Sequence, residues 1–261
     1  MPQPQPAEQT QQEYEVRFDW GIEGLRSIAD GAGVIVFIDT ISFTTTVELA
    51  TGLGLEIEPY PTLDREAAAA YAETVGAKLA GRRGEAGLTL SPTSITPENA
   101  AAFGARRAVV ISLNGSRVAA DAARYGVPVV ASNLRNFSAA ARWVLAHQER
   151  LGRRANVAVV ASGERRADDS MRPAVEDQLA AGAVVGALAA RGIDASSPEA
   201  AVAAASFDAM RGAVRHLLTA SVSARELAAV DQLADVKIAA QLDVSDVVPV
   251  MRDGVFRAER A

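Results

Sequence analysis

The chain contains no cysteine, which removes disulfides, thiolate metal sites and every mechanism that begins with a cysteine nucleophile. Histidine is nearly absent as well. His147 and His216 both fall inside helical patterns (WVLAHQER and VRHLL), so neither a histidine nucleophile nor a triad is expected. No apolar run approaches the roughly 20 residues that a membrane helix needs. The opening MPQPQPAEQTQQ lacks a basic region followed by an apolar stretch, so it does not read as a signal peptide. Its Pro/Gln-rich composition predicts a disordered tail over residues 1–13. These absences together lead to the expectation of a cytoplasmic protein without membrane partners. Aromatics make up only 5% of the chain, so the core should be aliphatic. Lysine occurs only at Lys78 and Lys237, and the net charge is −6. A global basic field for nucleic acid is therefore missing, and any anionic ligand must be held by local arginines.

The residues that are present describe an α/β protein. The 261 residues, 49% hydrophobic and 22% charged, suit one large domain or two closely packed lobes of about 14–150 and 151–261. The runs VIVFID (34–39), AVVIS (108–112), VPVVAS (127–132) and VAVVAS (157–162) each read as a buried strand. Each leads into a helical stretch, namely Thr44–Leu53, Ser116–Tyr125, Phe137–Leu151 and Pro173–Arg191. This alternation predicts a three-layer fold: a largely parallel or mixed sheet with helices on both faces. VRFDW (16–20) is a further strand candidate. LEIEPY (55–60) and VVPV (247–250) are weaker ones, and the proline in each predicts a sheet edge. From Pro198 to about Lys237 the pattern is helical, which gives a helical C-terminal third. Residues 34–53 and 157–188 share a plan of strand, polar loop and Ala-rich helix, the pattern that an internal duplication leaves. The Ala-rich helices offer surface for a second subunit, and closed dimers are the commonest assembly, so a homodimer is the expected state.

In such sheets, ligands sit where strands hand over to helix N-termini with free N–H donors. Four segments carry the chemistry there. In IDTISFTTT (38–46), Asp39 ends a strand and Thr44 and Thr45 follow. A carboxylate on a strand end suits a cation and the hydroxyls suit phosphate oxygens, although Asp39 or Ser42 as a plain helix cap fits equally well. In ISLNGSRVA (111–119), Asn114-Gly115 is a turn signal, and Ser116 can cap the following helix or join an anion-binding turn. SNLRNFSAAARWV (132–144) places Asn133, Arg135 and Asn136 between strand and helix. ASGERRADDSMRPAVEDQLAAGAVV (161–185) crowds Glu164, Arg165, Arg166, Asp168, Asp169 and Arg172 into one loop, with Glu176 and Asp177 at the start of the next helix. Acids there complement the helix dipole, but mixed arginines and carboxylates also meet the needs of phosphate plus a metal ion. Two familiar sites are missing: a Gly-rich phosphate loop and a dinucleotide fingerprint. Haloacid-dehalogenase phosphatases carry a second Asp two residues after the first, where this chain has Ile41.

With those segments in place, the chain resembles the 2-phosphosulfolactate phosphatase family from about Val16 to Phe256. The likeness rests on FDWG (18–21), IDTISFTTTV (38–47), LSPTSI (90–95), NGSRVA (114–119), LRNFSAAARWV (134–144), ASGERR (161–166), SMRPAVEDQLAAGAVV (170–185) and DVSDVVPVMRDGVF (243–256), in that order. The resemblance implies a Mg²⁺-dependent phosphatase that releases phosphate from a small phosphorylated acid. It points to Asp39, Glu176 and Asp177 as catalytic or metal-binding acids. Asn114, Gly115 and Ser116 become anion-binding candidates. Thr44, Thr45, Arg83, Arg135, Glu164, Arg165 and Arg172 complete the expected substrate site. Two departures stand out. Ile41-Ser42-Phe43-Thr44 replaces the family's usual Arg-Ala-Ser/Thr run, and Gly81-Arg82-Arg83-Gly84 replaces Gly-Glu-Arg-Gly. Either change can shift a substrate contact. Hydrolysis then proceeds through an activated water or through attack by Asp39 itself, and the sequence does not separate these. A phosphatase for another small phosphorylated acid, or a non-catalytic anion-binding protein, are the alternative readings.

Overall fold

Strand VIVFI shows how the layers arise. Alternate residues of a strand point to opposite faces of the sheet. In β2 (Val34–Ile38) all five side chains are buried, so both faces must be covered. In this computed structural model, which describes residues 10–260, Val34, Val36 and Ile38 join one apolar cluster and Ile35 and Phe37 another. The first cluster takes in α6 (Phe137–Leu151), α7 (Val175–Ala189), α8 (Pro198–Met210), α9 (Val214–Ala220), α10 (Val222–Ala228) and α11 (Leu233–Ala239). The second takes in α1 (Gly21–Ile28), α2 (Phe43–Gly52) and α5 (Gly115–Ala122). Helices α3 (Arg65–Thr74) and α4 (Pro97–Ala102) complete the set. Among the described residues, no helix is long and apolar enough to cross a membrane.

The remaining strands are β1 (Val16–Trp20), β3 (Glu56–Tyr60), β4 (Lys78–Leu79), β5 (Arg107–Ile111), β6 (Val129–Ser132), β7 (Val157–Ala161), β8 (Glu164–Arg165), β9 (Met171–Arg172), β10 (Val247–Arg252) and β11 (Val255–Arg260). Eight of them join β2 in a nine-stranded mixed, mostly parallel sheet in the order β1-β7-β2-β6-β10-β11-β3-β5-β4. Parallel blocks β1-β7-β2-β6 and β3-β5-β4 flank the antiparallel β10–β11 hairpin. Strands from before and after residue 150 thus interleave in one sheet. The helices α8 to α11 do not run on to the end of the chain, which closes on that hairpin.

The hairpin corrects two expectations. Proline in 55–60 and 247–250 predicts edge strands, yet β3 and β10 lie inside the sheet. Each proline escapes the conflict because one of its ladders is short. The β10–β6 register covers only Val250 and Met251, beyond Pro249, and β11 meets β3 only at Phe256 and Ile57, short of Pro59. The proline nitrogen therefore interrupts no continuous ladder on that side.

Residues 1–9 of the expected tail lie outside the described residues. Residues 10–13 form a turn tied to β1, contrary to the expected disorder. The Gln11 side chain donates to Phe18 O and accepts from Phe18 N, both at 3.0 Å, and Arg17 Nη2 donates to Gln12 O at 3.2 Å.

The tightest joint in the helical layer is Gly182 on α7. A Cβ there would lie 2.0 Å from the backbone oxygen of Ala203 on α8, so the two helix backbones touch at this point. Gly182→Ala is expected to cost at least about 2 kcal/mol, because backbone cannot swing aside as a side chain can. Chemical denaturation should show a lower midpoint with the same slope.

Candidate active site

Four acids gather where β2 and β7 end. Asp39 follows β2, Glu164 opens β8, and Glu176 and Asp177 occupy the first turn of α7. Asp39, Glu176 and Asp177 are each less than one-tenth exposed. Asp177 is a clamp between loops: one carboxylate oxygen accepts from Thr40 N at 2.7 Å and the other from Gly163 N at 3.0 Å. Asp39 is partly a helix cap, accepting from Phe43 N at 3.2 Å through Oδ1. Its Oδ2 faces the start of α5, where a Cβ on Gly115 would lie 2.6 Å from it. Only glycine allows that approach. No hydrogen bond to the Glu176 carboxylate forms among the described residues.

Burial and mutual repulsion mark this group electrostatically. Burial, and next among the raising causes the Glu176 charge, lift the Asp39 carboxyl to about 6; the Phe43 amide, Ser162 and Arg83 pull the other way. Glu164 is pushed up to about 7, first by burial and then by Asp39 and Glu176. Asp177 is raised well above the usual carboxylate range by burial, Asp39 and Glu176. The Ser162 hydroxyl lies close enough to steady a charge on Asp39, but it makes no hydrogen bond of normal geometry and is buried without a partner. Perturbed acids of this kind beside a cleft make this group the candidate functional site.

Two cavities border this group, Asp39 lining the first and Glu164 both, while Glu176 and Asp177 line neither. The larger, about 430 Å³, is bordered by Asp39, Ser42, Arg65, Arg82, Arg83 and Ser223 among others. The smaller, about 420 Å³, is bordered by Trp20, Arg26, Arg117, Ser162, Arg165 and Asp169 among others. Leu113, Asn114 and Glu164 line both, and Asn114 Nδ2 donates to Glu164 Oε2 at 2.8 Å, so these residues form the partition.

The predicted residues divide into those at the cavities and those spent elsewhere. Asp39, Arg83, Asn114, Glu164 and Arg165 line one cavity or both. Thr44 and Thr45 are wholly buried and bind backbone instead, Thr44 Oγ1 donating to Asp39 O and Thr45 Oγ1 to Thr40 O, each at 2.8 Å. Ser116 is not a cap either. It donates to Val110 O at 3.0 Å and accepts from Ser112 N, while Ser112 Oγ accepts from Gly115 N at the true helix start. Ser42 likewise does not cap α2 but donates to Leu90 O at 2.9 Å. Arg135 is drawn away to Glu48 at 2.7 Å and to Gln241. Arg83 is held by Asp235, Gln232 and Ser42. Arg165 pairs with Asp169, and Arg172 lies 3.8 Å from Glu226. The expected loop at 164–172 is a small hairpin, β8 against β9.

Arg65, Ser223 and Glu226 also line the larger cavity, and nothing local in the sequence marks them. They come from α3 and α10, and only the tertiary fold brings those helices to the end of β2.

Residues 23–254 match the family of 2-phosphosulpholactate phosphatase. The chain belongs to that family. The family is one of phosphomonoester hydrolases, so the buried acids and the arginine-lined cleft stand in a phosphatase scaffold. No curated protein matches the chain.

Proposed function

We propose that the protein hydrolyses the phosphomonoester of a small, multiply anionic 2-hydroxy acid, with 2-phosphosulfolactate as the leading substrate and sulfolactate and phosphate as products. One observation carries this reading beyond family membership. Buried Asp39 and half-buried Glu164, both with raised proton affinity, border a cleft whose other borders carry Arg65, Arg82 and Arg83. An anion-binding scaffold gains nothing from buried acids next to an anion. A phosphatase does, provided a cation stands between acids and phosphate.

The donor set fits Mg²⁺. Among the described residues no three acidic or imidazole side chains converge as a ready-made cage. Mg²⁺ needs only one or two carboxylates and keeps waters and phosphate oxygens in its other positions. Asp39 Oδ2 and the Glu176 carboxylate are the oxygens left free for it, whereas both oxygens of Asp177 are already engaged by backbone. When bound, the ion would neutralise phosphate charge at the reacting centre. Asp177 would then fix the Thr40 and Gly163 loops at the site. Glu164, with a carboxyl near about 7, is suited to hold or release a proton close to neutral pH. The nucleophile is either a water activated by these acids or Asp39 itself, and trapping of an acid-stable, base-labile phosphoenzyme would distinguish them.

The direct test is phosphate release from a panel of phosphorylated hydroxy acids with and without Mg²⁺. Release from 2-phosphosulfolactate should require Mg²⁺ or a similar oxygen-preferring ion and should stop on addition of EDTA. Turnover that survives complete metal removal would sink the metal-assisted reading. Metal-dependent turnover of other esters alone would discard the substrate.

The raised carboxyls also predict a pH dependence. Their ordinary values are 3.8 for Asp and 4.5 for Glu, and folding raises them. Below the ordinary values both folded and unfolded chains hold these protons, and the contribution to stability is complete. As pH climbs through about 6 for Asp39 and about 7 for Glu164, charging is disfavoured in the folded protein and that contribution is lost. Mg²⁺ binds the charged forms. The rise in melting temperature on adding Mg²⁺ should therefore be larger at pH 8 than at pH 5. A rise independent of pH would place the ion away from these acids.

A further inference from the structure

The arginines that line the cleft and those the sequence assigns to it are not equivalent. Arg83, Arg135 and Arg165 each form an ion pair with a carboxylate, to Asp235, Glu48 and Asp169, and Arg172 lies within reach of Glu226. Arg65 and Arg82 differ. Neither forms a salt bridge among the described residues, although both border the larger cavity. Arg65 is nevertheless fixed in place, since its Nη2 donates to Ala80 O at 2.8 Å. That bond uses one donor and leaves its charge and other donors available. Arg82 is anchored through its backbone, whose N–H donates to Glu85 Oε2 at 2.7 Å, while its guanidinium has no partner among the described residues.

A third group at the same cavity is also unpartnered. Ser223 on α10 is only 3% exposed, and its hydroxyl has no hydrogen-bond partner among the described residues. Buried polar atoms are nearly always satisfied, and an exception beside a cavity calls for a ligand or water that completes it. A hydroxyl and two uncompensated guanidinium groups all donate. Their shared complement is an oxyanion. The reacting phosphate belongs by the acids and their cation, so these donors suit a different negative group on the same small molecule.

We infer that Arg65, Arg82 and Ser223 form a second anion subsite in the larger cavity, holding the substrate's non-reacting carboxylate or sulfonate through charge-assisted hydrogen bonds. This rests on the phosphatase reading above. The subsite selects esters that carry a second negative charge over simple ones, because its binding energy is available only to them. Sulfonate and carboxylate share this chemistry, and substrates with one or the other tell them apart.

The experiment compares the full-length protein in Mg²⁺ with its Arg82→Gln, Arg65→Gln and Ser223→Ala variants. The readout is kcat/KM on 2-phosphosulfolactate, 2-phospholactate and p-nitrophenyl phosphate. Each arginine variant should lower the preference for 2-phosphosulfolactate over p-nitrophenyl phosphate by at least about tenfold, mainly through KM. Ser223→Ala should lower it by less. Because Arg82 is exposed, its variant should keep the native melting temperature even if that of Arg65→Gln falls. An unchanged preference in Arg82→Gln and Arg65→Gln would overturn the subsite while leaving the phosphatase reading intact. An equal loss on all three esters would overturn it too, by placing these arginines on the phosphate. Absence of phosphate release from every ester by the unaltered protein would instead remove the phosphatase reading, and the subsite with it.

Discussion

Asp39→Asn is expected to cut turnover at least about a hundredfold, equivalent to about 2.7 kcal/mol of transition-state stabilisation, with no loss of folding stability. The two halves of this expectation come from different atoms. Oδ1 accepts from Phe43 N, and an asparagine carbonyl oxygen keeps that bond and the start of α2. On the proposed reading Oδ2 would carry the site chemistry, since it faces the α5 start at Gly115 and is not the oxygen that accepts from Phe43 N. The substitution replaces that oxygen with an amide nitrogen, which cannot ligate a hard cation or attack phosphorus. Removing a buried charge that Glu176 repels should keep the melting temperature the same or raise it above pH 6, the usual exchange of stability for activity at such sites. Steady-state kinetics paired with thermal denaturation check both parts. Full activity in the Asp39→Asn protein would reduce Asp39 to a helix cap and move the chemistry elsewhere.

Local signals account for what the sequence makes legible. Continuous Val/Ile runs bounded by polar residues identify β2, β5, β6 and β7 with errors of a residue or two, because strands buried on both faces leave no other pattern. The same logic singles out Asp39, Asn114 and Glu164, since these residues follow the ends of β2, β5 and β7, but it does not show that Asn114 pairs with Glu164. What escapes is long-range. The β10–β11 hairpin enters the middle of the sheet, and the prolines that suggest an edge report only that one ladder is incomplete at their own position. Arginine roles are equally hidden. Arg83 meets Asp235 at a separation of 152 residues and Arg135 meets Glu48 at 87, so the sequence cannot show which guanidinium is compensated and which is free. Hydroxyl-rich helix starts mislead for a related reason. Thr44, Thr45 and Ser116 resemble phosphate donors in sequence, yet burial turns each back onto backbone oxygen.

Arg135 gives the clearest case in which structure changes the expected result of a substitution. The sequence places it in a polar strand-to-helix loop and makes it a substrate ligand, and on that reading Arg135→Ala raises KM in a stable protein. The fold predicts the reverse. Arg135 and Glu48 are 8% and 2% exposed, and Arg135 Nε donates to Glu48 Oε2 at 2.7 Å. The guanidinium also bonds Gln241, and Glu48 accepts from Ser245 Oγ at 2.6 Å. Val244 N and Ser245 N donate to Arg135 O at 2.8 and 3.0 Å, so the cluster fastens residues 241–245, the lead-in to β10, onto α2 and the β6–α6 loop. Removing one partner leaves a buried charge without compensation, which typically costs about 3–5 kcal/mol, far more than an exposed ion pair is worth. Arg135→Ala should thus fall sharply in denaturation midpoint, while the molecules that remain folded keep the KM of the unaltered protein. The double substitution Glu48→Gln with Arg135→Met removes both charges and should recover much of the lost stability, since the uncompensated carboxylate is what makes the single change severe. A stable Arg135→Ala protein with a raised KM would restore the residue to the substrate site.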